Sequence, residues 1–329
     1  MKRTSIALMV LCLLPLSAQA IKLIDGDYRY REDVEQFITE VAAKSDYSEQ
    51  QLLSLFGQVK HQRHLFERMD KPAEKLEWFK YRKIFITDKR IKRGIEFWNK
   101  HRDLLARVEK EYQVPAEIIV AIVGVETFYG AYKGKAPVFD TLVTFAFDYP
   151  KRAAFFTREL EQFLLLTKEQ DLGVRDIKGS YAGAMGMPQF ISSSYRHYAV
   201  DFDGDGKANL FDSLPDVLGS VANYFRKHGW QPGEAITYPL KAPKSAKLGA
   251  LEPGMKPSYD WSQLRAAGLS SKAKLADDTR VALLKFKQQR SHEYWVGLKN
   301  FYVITRYNHS PLYAMAVYQL SQKLKKGMR

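Results

Sequence analysis

Residues 121–130 read AIVGVETFYG, an apolar run with one carboxylate set into it. Pro115 suits the first turn of a helix and Gly130 suits its end. Between them Ile119, Ile122, Glu126 and Tyr129 recur at helical spacing and share one face, so Glu126 projects from the apolar stripe. Burial disfavours the charged form of a carboxyl group and raises its pKa, which keeps a proton available near neutral pH. A glycosidic bond needs such a proton, because its leaving oxygen is protonated as the bond breaks. The competing reading is a structural glutamate satisfied by an arginine or by backbone donors, and the spacing alone leaves both open.

The rest of the chain narrows the setting. With 329 residues it can bury a sizeable core in two or three compact units. Residues 1–20, MKRTSIALMVLCLLPLSAQA, form a secretory signal: Lys2 and Arg3, an apolar stretch, then Ala18-Gln19-Ala20 before the cut. This stretch is too short and wrongly flanked to span a membrane. The only cysteine, Cys12, lies inside it, and Leu11 is not the small residue that lipid attachment requires. The expectation is therefore an exported, soluble chain with no membrane anchor and no need of disulfides. The formal net charge of +14 falls to +12 without Lys2 and Arg3 and points to an anionic partner such as a cell-wall polymer. Nucleic acid is not expected, because clusters such as KYRK and KRIKR are not interleaved with aromatics in a recognition motif.

The pattern implies a mainly α fold. Residues 21–112 read as a helical domain: REDVEQFITEVAAK spaces Val34, Phe37, Ile38 and Val41 at helical intervals, and Ser48 with Gln51 forms a capping box. Residues 113–229, with 300–329, read as the core, closed by a helix starting at Ser310-Pro311. Residues 230–299, with prolines at 232, 239, 243 and 253 and short pieces such as AITYPL, read as a small β-containing domain. Within the core, GSYAGAMGMPQF at 179–190 packs small residues around two methionines. Gly183 and Gly186 permit close backbone approach, while Ser180 and Gln189 offer polar groups to a flat sugar.

VGVETFYG, GSYAGAMGMPQF, DFDGDGKANLFD, GSVANYFRKHGW and VITRYNHS occur in this order, and together they resemble the lytic murein transglycosylase B family. That resemblance runs from about residue 30 to the end and implies a peptidoglycan-cleaving enzyme on a lysozyme-like α+β core. Glu126 matches the family's catalytic glutamate, and Ser180 and Gln189 match polar residues of its glycan groove. Tyr224, Tyr307 and Asn308 match further groove positions, Tyr81 resembles a groove tyrosine from the helical domain, and Lys151 and Arg152 resemble basic residues on the stem-peptide side. Aromatic faces stacking on sugars and cations meeting carboxylates are the chemistry expected of them.

The implied reaction uses one carboxylate twice. Glu126 protonates the oxygen between muramic acid and glucosamine, the muramic acetamido oxygen stabilises the anomeric carbon, and Glu126 then deprotonates the sugar's primary hydroxyl to give a 1,6-anhydro ring. No second acid stands in a comparable apolar setting, Asp140 and Asp148 being the nearest. The rivals are a muramidase that uses water and a non-catalytic, calcium-stabilised wall-binding scaffold. The expected partners are glycan strands and other wall-synthesis or wall-lytic proteins, with the chain itself a monomer.

DFDGDGKANLFD at 201–212 fits the twelve-residue calcium loop. Asp201, Asp203 and Asp205 take positions one, three and five, Gly206 takes six, and the Lys207 carbonyl takes seven. Position twelve is Asp212, whose side chain is shorter than the usual glutamate. The resemblance implies closure by Asp216 instead, although SLPD also reads as a capping box with Ser213 as the cap. The ion expected here is structural calcium.

Overall fold

The computed structural model describes residues 28–71 and 73–329; the signal segment, Cys12 and the cleavage near Ala20 lie outside them. Helices α1 (Glu32–Ala42), α2 (Glu49–Phe56), α3 (Phe66–Asp70), α4 (Trp78–Phe85), α5 (Asp88–Lys100) and α6 (Arg102–Tyr112) build the N-terminal part. Helices α7 (Ala116–Thr127), α8 (Val138–Asp148), α9 (Ala153–Glu169), α10 (Ser192–Tyr198) and α11 (Leu214–Lys227) follow. After a small sheet with α12 (Trp261–Ala266), α13 (Lys299–Tyr307) and α14 (Pro311–Gly327) return to the core. No helix among the described residues is long and apolar enough to cross a membrane.

The capping box at Ser48 and Gln51 forms as expected, and Ser310 caps α14 by accepting from the Tyr313 amide. α7 departs from its expected form. Ala116 through Val125 are buried on every side, so the helix has no single apolar stripe and is enclosed by its neighbours. Pro115 stands just before the helix as its N-cap. Glu126 is half-buried in the last turn. Tyr129 does not continue the Ile119–Ile122–Glu126 face, because the backbone turns left-handed at Phe128 (φ 52°), Tyr129 (φ 60°) and Gly130 (φ 82°).

That reversal folds the Tyr129 ring back onto the glycines of α5 and α7. A Cβ on Gly94 would stand 2.3 Å from the Tyr129 hydroxyl and 2.5 Å from Leu324 Cδ2, and one on Gly124 would stand 2.7 Å from the ring. The hydroxyl donates to the Arg90 carbonyl at 3.0 Å, and the Phe128 ring lies under the Arg90 and Arg93 guanidinium groups, each 5.1 Å from its centroid. Two successive left-handed aromatics are costly for L-residues, and these contacts hold them in place.

Strands β1 (Ala136–Pro137) and β2 (Lys178–Gly179) form a two-residue ladder beside the glycine-rich turn. The larger sheet has the antiparallel order β3 (Thr237–Leu240), β6 (His292–Gly297), β5 (Arg280–Lys287), β4 (Tyr259–Asp260). Its side chains alternate as the pleat requires. Val281 and Leu283 pack with Leu240, Trp261 and Leu264 in a separate small cluster, whereas Ala282, Leu284 and Phe286 join the main core, where Phe286 meets Trp78 at 5.3 Å. The ends of the inserted segment are stapled by buried Asn300, whose amide bonds Gln231 on both its oxygen and its nitrogen sides and also reaches the Glu234 carbonyl. The helices before residue 113 have no core of their own: Leu52, Phe56 and Trp78 belong to the same cluster as α7.

Gly94→Ala is expected to lower stability by about 1–3 kcal/mol through overpacking against Tyr129 and Leu324. A denaturant titration checks it, and an unchanged midpoint would mean that the close approach of α5 to the reversed turn is not required.

Candidate active site

Glu126 lies where a buried helix ends, so its carboxyl group meets protein where water would otherwise be. Burial pushes its pKa up to about 7 from 4.5, the negative charge of Glu74 adds to the rise, and a hydrogen bond from Tyr313 opposes it. The Tyr313 hydroxyl donates to Glu126 Oε1 at 2.5 Å. Tyr313 stands in the first turn of α14, where Ser310 and Pro311 fix the start of the helix. At the far end of the same antiparallel pair, Lys325 Nζ bonds Glu117 Oε1 at 2.6 Å, so α14 is fastened along α7 at both ends.

The expected groove residues take different places. The Tyr307 ring stacks nearly parallel to Tyr313, centroids 6.3 Å apart and planes 9° apart, and its hydroxyl donates to the Pro188 carbonyl of the glycine-rich turn at 2.6 Å. Asn308 Nδ2 donates to Glu74 Oε1 at 3.2 Å. Ser180 Oγ accepts from the Ala182 and Ala184 amides, which shapes the turn while the side chain stays half-buried. Gln189, itself left-handed at φ 52°, donates to the Lys133 and Gly186 carbonyls. Gly186 is required here, because a Cβ would stand 2.4 Å from the Leu210 carbonyl oxygen.

Stacking on sugar is not available to the other two tyrosines. Tyr81 is 0% exposed, and its hydroxyl is directed at Glu74 Oε1, 3.5 Å away. Tyr224 is 6% exposed, stacks on His228 with centroids 4.0 Å apart, and donates to the Arg306 carbonyl. Both rings are packed in the interior. Lys151 is exposed and paired with Asp70 at 2.8 Å, and the Arg152 guanidinium lies 4.2 Å over the Phe155 ring.

The alternative acids are committed elsewhere. Asp148 accepts from Tyr28 and Arg31 and pairs with His61 and Arg63; burial would raise its pKa, but these hydrogen bonds and cations hold it below the usual range. Asp140 pairs with Arg175, yet burial prevails and its pKa is raised. Neither is a free acid. The sequence did not single out Tyr313, which donates to Glu126, or Glu74, whose charge adds to the effect of burial on it. The cap at Ser310-Pro311, which places Tyr313 in a helical first turn, was the one available signal for the former.

A second constellation lies in the acidic loop. Asp201, Asp203 and Asp216 bring carboxylate oxygens within 4.8 Å of one another. Asp216 is 0% exposed; its Oδ1 accepts from the Phe202 amide and its Oδ2 from the Asn209 amide, each at 2.7 Å. Ser213 caps α11 by accepting from the Asp216 amide and donates to Asp203 Oδ2 at 2.6 Å, while the Asp216 carboxylate faces the loop amides. Gly204 and Gly206, at φ 82° and 93°, turn their amides onto Asp201. Asp205 accepts from the Lys207 amide and is outside the three-carboxylate group. Asp212 is exposed and reaches Lys133 at 3.6 Å, away from the group. A buried carboxylate beside two others, with no histidine or thiol in the set, suits a hard cation such as calcium.

The chain matches the Transglycosylase SLT domain family over residues 29–322 and belongs to that family. It is 42% identical to the membrane-bound lytic murein transglycosylase B of Escherichia coli K12, over 90% of this chain and 84% of that protein. The structure of the catenated lytic transglycosylase SltB1 of Pseudomonas aeruginosa superposes with a TM-score of 0.87 at 47% identity, covering 92% of this chain and 100% of that one. The Escherichia coli lytic transglycosylase Slt35, solved in complex with calcium, gives 0.85 at 42% identity, covering 92% and 96%. The chain is an enzyme of the lytic transglycosylase class on their fold.

The raised pKa of Glu126 has a sign that can be measured. The unfolded carboxyl loses its proton near 4.5 and the folded one near 7, so the folded state holds the extra proton between them and stability falls as pH rises through that window. Glu126→Gln is expected to be more stable than the wild type by roughly 1–3 kcal/mol at pH 8 and to lose that advantage near pH 4. A pH-independent difference in unfolding free energy would show that the carboxyl group is not desolvated.

Proposed function

We propose that the protein is an exported, periplasmic lytic transglycosylase that cleaves the β-1,4 bond between N-acetylmuramic acid and N-acetylglucosamine in peptidoglycan. The observation that carries the reading is Glu126: a carboxyl group protonated up to about pH 7, at the end of an enclosed helix, held at 2.5 Å by Tyr313, in a chain of the transglycosylase family. Its proton goes to the glycosidic oxygen, and the glucosamine unit leaves with it. The Tyr313 hydroxyl then donates to the carboxylate just formed, as the ground-state hydrogen bond already does. The muramic acetamido oxygen attacks its own anomeric carbon as the bond to the leaving oxygen breaks. Ionised Glu126 takes the proton of the muramic C6 hydroxyl, whose oxygen displaces the acetamido oxygen and closes the 1,6-anhydro ring. No water is consumed, and Glu126 ends protonated as it began.

Calcium belongs to the same reading as a structural ion. Asp201, Asp203 and buried Asp216 would hold it, with loop carbonyls completing the oxygen shell. What it supplies is charge balance for three clustered carboxylates; the acid–base steps stay with Glu126.

Digests of purified sacculi, read by mass spectrometry, test the reaction. The wild type should release muropeptides one water lighter than reducing ones, and Glu126→Gln should lower the rate by about 10²–10⁴-fold. Reducing products from the wild type would make it a muramidase, and undiminished release by Glu126→Gln would return Glu126 to a structural role. For the ion, thermal unfolding with calcium at about 100 times its Kd should gain about 2.7 kcal/mol. Asp216→Asn should abolish that gain and Asp212→Asn should keep it; the reverse pattern would make Asp212 the closing ligand.

A further inference from the structure

Glu126 has a second carboxylate as a neighbour. Glu74 sits half-buried on a short 3-10 turn, Ala73–Lys75, just before α4. Its Oε1 accepts from Asn308 Nδ2 at 3.2 Å and faces the Tyr81 hydroxyl at 3.5 Å. Tyr81 lies seven residues from Glu74 along the chain, whereas Asn308 lies 234 residues away. Asn308 follows directly on α13, and its backbone carbonyl accepts from the amide of Ser310, the cap of the helix that carries Tyr313. One carboxylate therefore ties the N-terminal helical segment to the turn that positions the hydroxyl on Glu126.

We propose that Glu74 is a positioning residue of this active site: it clamps Asn308 and Tyr81 and so holds the turn that leads into the helix carrying Tyr313 to Glu126. This rests on the reading of Glu126 as the acid. The groups facing Glu126 are Tyr313 from α14, Tyr307 from α13, Tyr81 from α4 and Glu74 from its turn. The phenols stay neutral, all three held well above their ordinary pKa, first by burial and then by the neighbouring negative charge. Arg90 of α5 directs its guanidinium to the carbonyls of Gly124 and Ile84. Burial is the main cause of the raised Glu126 pKa, and the negative charge of Glu74 adds to it. Glu74 also raises the Tyr181 phenol after burial, with Arg68 opposing, so its field extends to the glycine-rich turn. A like charge nearby keeps the acid protonated for the first step and makes ionised Glu126 a stronger base for the second.

The test is the pH dependence of glycan cleavage by Glu74→Gln and Glu74→Ala. Gln keeps an acceptor for Asn308 and Tyr81 but removes the charge, so the alkaline limb of the rate should move down by roughly 0.5–1 unit with KM little changed. Ala removes the clamp as well and should add a several-fold rise in KM. Variants that fold less stably but keep the wild-type limb and KM would reduce Glu74 to a structural role and overturn the proposal. A wild type that yields reducing ends would overturn the anhydro-forming reading alone, because a general acid is needed either way and the limb comparison still reads Glu74.

Discussion

The site depends on a balance at one atom, Glu126 Oε1. Burial at the end of α7 raises the pKa of the half-buried Glu126, and the Tyr313 hydroxyl at 2.5 Å supplies a fixed donor that opposes the rise. Burial alone would leave Glu126 holding its proton too tightly to give it up, and the hydrogen bond alone would leave it ionised with no proton to give. Together they leave it near pH 7, where both forms are within reach. A single carboxylate asked to give a proton and then take one needs that compromise.

Much of the surrounding architecture maintains it. Tyr313 can reach Glu126 because α14 runs antiparallel along α7, fixed by its Ser310 cap at one end and by the Lys325–Glu117 pair at the other. The helix stops after Thr127 because the chain reverses through Phe128, Tyr129 and Gly130. Gly94 and Gly124 leave room for the returning Tyr129 ring, and cations of α5 cover Phe128. Tyr307 links α14 to the glycine-rich turn, stacking on Tyr313 while its hydroxyl donates to the Pro188 carbonyl.

What the sequence made legible was local. Glu126, the glycines of the 179–190 turn, the aspartates of the 201–212 loop and the cap at Ser310 are signals carried by a few adjacent residues. The apolar stripe was misread because a helix enclosed on all sides has no period to reveal which face is inward. Tyr81 and Tyr224 were expected at the groove from the family resemblance, which does not separate an open ring from a packed one, and here both are buried. Glu74 lies in MDKPAEKLEW, which looks like a solvated charged stretch; its proposed role rests on the contact with Asn308, 234 residues away, which no spacing rule supplies. Tyr313 is 187 residues from its partner, beyond any local pattern.

The most direct measurement is the titration of the Glu126 carboxyl carbon by NMR in the folded protein. The account predicts an apparent pKa of about 7, well above the ordinary 4.5. A midpoint near 4.5 would mean that water reaches the group, and the single-carboxylate mechanism would lose its acid.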